Sequence, residues 1–235
     1  MNIGEYKKGL IITIPKWINI YAIASIFPTL SVFTCWGVYY GLGHNDSVIR
    51  TISETVNPFP ENRIFPVTMC MECIFLSIVM WLRNSITEAF SKEKNIKMNK
   101  RLFLMKLCLP LMVYGLSTLS LLTLLDHAPI HLSSALIFFS FASIYMFLCD
   151  STGKELGWKI NTVSQLVTFC IPAVLILHNI AIGVYGPKSN IMLSAGALLQ
   201  YLMCLCIFLK IFIFQFEIPK VTITNCFDDY NKKQQ

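Results

Sequence analysis

Ile52-Ser53-Glu54-Thr55-Val56-Asn57-Pro58-Phe59-Pro60-Glu61-Asn62-Arg63-Ile64-Phe65 is the longest polar interruption in the first third of the chain. Its flanks decide the fold, because an apolar run of about 20 residues stands on each side, the length that crosses a bilayer as helix. Pro58 and Pro60 lack amide donors, and each disfavours helix in the residue before it, Asn57 and Phe59. The stretch is therefore expected to cross the surface extended and to turn at Pro60-Glu61. A proline at the start and an acid in the first turn then open the next helix.

Working outward, the same alternation continues along the chain. Apolar runs occupy residues 17–40, 66–86, 102–125, 130–149, 163–185 and 190–216, and a polar tail covers 217–235. Of 235 residues, 55% are hydrophobic and 14% charged, well below the roughly 25% charged residues of soluble domains. The expected fold class is all-α, a polytopic membrane protein forming a single six-transmembrane-helix bundle with cytosolic termini. The first run is too long for a cleaved signal peptide and reads as a retained anchor. Asp126-His127-Ala128-Pro129 is a short link, so the third and fourth runs are expected to form an antiparallel hairpin.

Orientation follows from the basic residues. Six spans put both termini on one side, with the loops after the second and fourth runs. That side carries 16 of the 19 lysines and arginines, against Arg50, Arg63 and Lys188 on the other. The positive-inside bias therefore makes the terminal side cytosolic. Arg83, Lys106 and Lys210 are expected near cytosolic helix ends, with their stems snorkelling to the interface. The basic segment Lys92 to Arg101 sets topology and could attract anionic lipids. Because the net charge of +6 flanks membrane runs, it is no sign of a nucleic-acid partner.

Eight of nine cysteines lie in apolar runs, and only Cys226 lies in the tail. Cys70 and Cys73 have CxxC spacing, but inside an apolar helix they read as small hydrophobes. No Ser/His/Asp arrangement, phosphate-binding glycine loop, HExxH or paired-carboxylate motif is present, and no cofactor is expected. Asp126 beside His127 reads as a pair of turn and cap groups before it reads as a catalytic pair. The polar candidates inside the spans are Glu72, His178 and Gln200. Ionisable groups at membrane depth are costly and commonly functional. One expectation is that His131, His178 and Glu72 approach one another and sense the pH of the outer compartment.

The chain resembles the damage-regulated autophagy modulator (DRAM) family. Members carry Ile-Ser-Asp-Thr-Gly, then Pro-Pro-Glu and Ile-Phe, in their first loop. Ile52, Ser53, Glu54 and Thr55, Pro58, Pro60, Glu61, Ile64 and Phe65 stand in those places. Glu54 for aspartate and Val56 for glycine are departures. Pro129-Ile130-His131-Leu132 and Tyr145 are similar to the family's fourth span, and Gln200-Tyr201 to its Glu-Trp position in the sixth. The resemblance implies a non-catalytic membrane modulator of autophagy or lysosomal function, with membrane lipids or unidentified membrane or cytosolic proteins as partners. Wider relatives point to two alternatives, an accessory or enzyme of GPI-anchor lipid remodelling and a membrane regulator of phosphoinositide kinases. A solute transporter lined by Glu72, Gln165, Asn179 and Gln200 is a third class, but no inverted repeat supports it.

Localisation has two readings within the endomembrane system. The resemblance implies the lysosomal membrane, while Lys232 and Lys233 match a dilysine signal for return to the endoplasmic reticulum. Asn45, in Asn45-Asp46-Ser47, is the single glycosylation acceptor pattern. Cys149 and Cys226 are placed as palmitoylation sites would be.

Overall fold

A computed structural model describes residues 10–11, 19–44, 49–185, 189–218 and 224–225. Residues 20–218 form one unit, built from helices α1 (Ile20–Gly41), α2 (Ile52–Thr55), α3 (Glu61–Glu93), α4 (Asn99–Leu121), α5 (Leu124–Glu155), α6 (Thr162–Ile180) and α7 (Asn190–Glu217). Helix α6 continues into a π-helical turn, Ala181–Tyr185. The described residues 10–11 and 224–225 belong to a second unit. There, β1 (Leu10–Ile11) and β2 (Thr224–Asn225) pair antiparallel, with Leu10 opposite Asn225. The fold is all-helical in substance, and six of the helices, all but α2, are long and apolar enough to cross a membrane.

The six long helices pack in chain order, and α7 closes back on α1, giving a ring. Among the neighbouring pairs of that ring, α5 and α6 are the least tightly packed. Helix α3 shows how the pattern makes the ring. Phe65, Met69, Glu72, Leu76, Met80 and Arg83 recur every three or four residues, and all are buried. Such a stripe faces the interior, while Val67, Ile74, Ile78 and Trp81 remain exposed, as lipid-facing residues should be. Opposite, α4 and α5 approach so closely at Gly115 that a Cβ there would lie 2.8 Å from the Phe138 nitrogen and the Ser134 carbonyl oxygen. Only a residue without a side chain permits that crossing.

Helices α3 and α5 run to 33 and 32 residues, so each is about 50 Å long at ~1.5 Å per residue, well beyond a hydrocarbon core of ~30 Å. Beside these extensions, Ile86 of α3, Met98 and Leu102 at the start of α4, and Leu156 and Trp158 just after α5 form a second apolar cluster. Lys94 crosses from the end of α3 to donate to the Leu156 carbonyl at 2.6 Å, supplying a cap for α5. Arg101 pairs with Glu155, and Lys106 and Lys92 converge on Glu88. Two residues of the basic segment, Lys94 and Arg101, therefore join helix ends.

Two local readings are corrected. The stretch from Ile52 is not extended at first, because Ile52–Thr55 is helical and Ile52, Thr55 and Val56 are buried. The restriction imposed by proline begins only at Asn57, and a strong cap governs the residues before it. The link between α4 and α5 falls at Leu122-Thr123, ahead of Asp126. Thr123 caps α5 by accepting from the Asp126 amide, and non-helical backbone at His127 separates this first turn from the rest of the helix.

Candidate functional site

At the outer end, a loop is held by side chains from distant helices. Thr51 and Glu54 form a capping box on α2. Glu54 Oε2 accepts from the Thr51 amide at 2.9 Å, and Glu54 Oε1 pairs with Arg50 at 3.1 Å. A capping box satisfies amides that a short helix leaves open. The Ile52 amide then donates to Gln200 Oε1 on α7 at 2.8 Å. The Ser53 hydroxyl lies 2.8 Å from His131 Nε2 on α5. His131 Nδ1 lies 2.7 Å from the Leu122 carbonyl oxygen. A carbonyl only accepts, so Nδ1 carries the proton, and in the neutral ring Nε2 accepts from Ser53. First loop, fourth span and sixth span thus meet through Ile52, Ser53, His131 and Gln200.

Beside this junction a groove opens along the α5–α6 seam. Ser53, His131, His178, Asn179 and Gln200 line it, together with the apolar Leu136, Phe139 and Leu175. His178 Nδ1 lies 2.8 Å from the Gly196 carbonyl oxygen, which fixes its tautomer in the same way. The structure therefore brings His131 and His178 to one groove, but Glu72 is not among its lining residues. Glu72 sits on the buried stripe of α3, and neither of its carboxylate oxygens has a hydrogen-bond partner.

The other candidates are spread out. Glu61 is fully buried at the start of α3, with Oε1 3.0 Å from His44 Nδ1. Pro58 borders an outer cleft with Tyr39, His44, Arg50 and Glu54. Pro60 is the N-cap residue of α3, and Phe65 is in the core. Tyr145 is buried toward the inner end of α5, donating to Asn84 Oδ1 at 3.1 Å. Gln165 accepts from Lys154 at 2.5 Å near that same end, and of the four residues considered for a transport path Asn179 and Gln200 share one groove. Asn45, Cys226, Lys232 and Lys233 lie outside the described residues. The described cysteines are free, and no cluster suited to a metal occurs among the described residues.

A second constellation lies inside the inner half of the ring. Lys210 Nζ lies 2.5 Å from Asp150 Oδ1 and 3.0 Å from Glu217 Oε1, and it also meets the Ser164 hydroxyl. Glu217 Oε2 accepts from Arg83 at 3.1 Å. The Arg83 guanidinium stacks on Phe214 and Trp158, 4.3 and 4.9 Å from the ring centroids. Arg83 and Lys210 are both fully buried. The expectation that they snorkel is corrected: partners of opposite charge on α5 and α7 hold them inward. Two cations against two anions cancel, which is how a membrane interior tolerates four charges. The sequence hides this network because Asp150 and Glu217 lie at the ends of apolar runs and look like boundary residues. A lysine inside the last run, Lys210, is the available signal.

The family model described as the Frag1/DRAM/Sfk1/Cwh43P N-terminal domain matches residues 16–221. The chain belongs to this family. Neither a curated protein nor a solved structure matches it. The Frag1/DRAM/Sfk1 match spans the whole six-helix ring, so the outer junction and the inner charge network both fall within the family domain.

Proposed function

We propose that this family member is a DRAM-like multi-pass modulator of autophagy or lysosomal function, resident in an endomembrane and acting through lipid or protein partners. One observation carries the reading. Ile52, Ser53, His131 and Gln200, which bear the DRAM resemblance in three separate segments, meet at the outer junction. Hydrogen bonds from α5 and α7 fix the loop, so a partner that engages the adjoining groove changes the loop's position. That is a binding device, and turnover of a substrate is not needed for it to work.

The test is rescue of cells that lack the protein. Autophagic flux, measured with and without lysosomal inhibition, falls in such cells and returns with the wild-type chain but not with Ser53→Ala/His131→Ala. Unchanged flux together with altered GPI-anchor acyl chains would replace this reading with lipid remodelling. Unchanged flux with altered phosphoinositide levels would replace it with kinase regulation. Imaging the chain with a free C-terminus, alongside Lys232→Ser/Lys233→Ser, separates a lysosomal address from retrieval to the endoplasmic reticulum.

A further inference from the structure

The outer groove has two chemically distinct parts. Leu132, Leu136, Phe139 and Leu175 form an apolar trough, and Leu132 and Leu136 are more than half exposed. A trough with such walls opens sideways into lipid. Its polar rim is Ser53, His131, Ser133, His178, Asn179 and Gln200, and none of the residues lining the groove is Asp, Glu, Lys or Arg. Asn179 lies six residues before Tyr185, about 9 Å below the outer helix end at ~1.5 Å per residue. That puts it inside the outer part of the span. The groove offers about 330 Å³, at the lower end of the usual range of roughly 300–1,000 Å³ for small-molecule sites.

The hydrogen bonds already made define what the rim can offer. His178 donates from Nδ1 to the Gly196 carbonyl, so in its neutral form Nε2 is an acceptor. Asn179 donates from Nδ2 to the Leu175 carbonyl at 2.8 Å, which leaves Oδ1 as an acceptor. Gln200 Oε1 takes the Ile52 amide, which leaves the Nε2 hydrogens as donors. Acceptors and amide donors side by side, with no carboxylate or fixed cation among them, suit a hydroxyl-bearing head. With both imidazoles neutral, a phosphate at this depth meets no counter-charge, and burying an uncompensated ion is strongly unfavourable.

We propose that the α5–α6 groove binds one uncharged lipid with a hydroxyl head group, its hydroxyl donating to His178 Nε2 and accepting from Gln200 Nε2, and its chains along Leu136 and Phe139. The proposal deepens the modulator reading by naming the ligand class of that same site. Diacylglycerol, ceramide and sterol share this chemistry, and the test separates them.

Full-length protein in nanodiscs is exposed to photoactivatable diacylglycerol, ceramide, sterol, phosphatidylcholine and phosphatidylserine, and labelled peptides are mapped. One or more of the uncharged probes labels α5 and α6 next to the groove, and both phospholipids label it far less. His178→Phe weakens labelling by about fivefold, the loss of one hydrogen bond of ~1 kcal/mol. His178→Gln, which keeps an acceptor near the Nε2 position, restores much of it. Leu136→Trp, at an exposed position, fills the trough and blocks labelling without disturbing the core. Equal labelling by the phospholipids, labelling mapped elsewhere, or labelling indifferent to Leu136→Trp overturns the proposal. Because this readout uses purified protein and flux is read in cells, either reading can fail without the other.

Discussion

Ser53 and His131 are 78 residues apart in sequence, yet the serine hydroxyl lies 2.8 Å from the imidazole Nε2. Through that contact the first loop is pinned to the fourth span, while the Leu122 carbonyl pins the other side of the same ring. The histidine is therefore a bridge between the loop and the α4–α5 connection, and its removal frees both.

The first prediction is a coupling energy. Ser53→Ala and His131→Ala each remove one partner of a single hydrogen bond, and such bonds contribute about 1 kcal/mol. In a double-mutant cycle read by thermal unfolding in detergent, the two changes couple by roughly that amount. Amide exchange in residues 49–56 rises in both single variants. Strict additivity would show that the loop is held by other contacts.

Thr51 supplies the second prediction. It caps α2 by accepting from the Glu54 amide, and Glu54 reaches back to the Thr51 amide. Removing such a cap costs about 1 kcal/mol. Thr51→Ala therefore destabilises the loop, whereas Thr51→Ser retains the oxygen and stays close to wild type. Exchange at Ile52–Thr55 is the readout, and identical behaviour of the two variants would mean that the cap is idle.

Gly115 gives a steric prediction. A Cβ there would stand 2.8 Å from backbone atoms of α5, and backbone cannot swing aside as a side-chain tip can. Gly115→Val destabilises the α4–α5 pair by about 1–3 kcal/mol, the usual range for overpacking. Gly37 is the control, because a Cβ added there would meet nothing within 4 Å, and Gly37→Ala is near neutral. Comparable losses at both glycines would remove the crossing as the cause.

What is legible in the sequence, and what stays hidden, follow from the range of the interactions. Apolar run length and lysine asymmetry are local properties, and they give six helices because every backbone amide in lipid must be satisfied within its own segment. The resemblance picks out Ile52, Ser53 and His131, but nothing in residue spacing pairs positions 53 and 131. The extended reading of Ile52–Thr55 fails because the prolines restrict the chain only from Asn57, while Thr51 and Glu54 cap the residues before it. The fate of Arg83 and Lys210 is hidden for another reason. Whether a long cation snorkels or turns inward depends on anions from other helices, and here those are Asp150 and Glu217.

That network carries the last prediction. Lys210 stands between Asp150 and Glu217, and Arg83 also serves Glu217. Lys210→Met leaves two buried anions facing one cation, and breaking a buried pair in this way costs about 3–5 kcal/mol. Adding Asp150→Asn removes the stranded charge while the Arg83–Glu217 pair remains, so the double variant recovers much of the lost stability. Asp150→Asn alone leaves a surplus cation and is destabilised in its turn. Thermal unfolding of the four proteins in one detergent gives the cycle. A double variant as unstable as the sum of the single losses would mean that Lys210 acts by packing alone, with its charge unimportant.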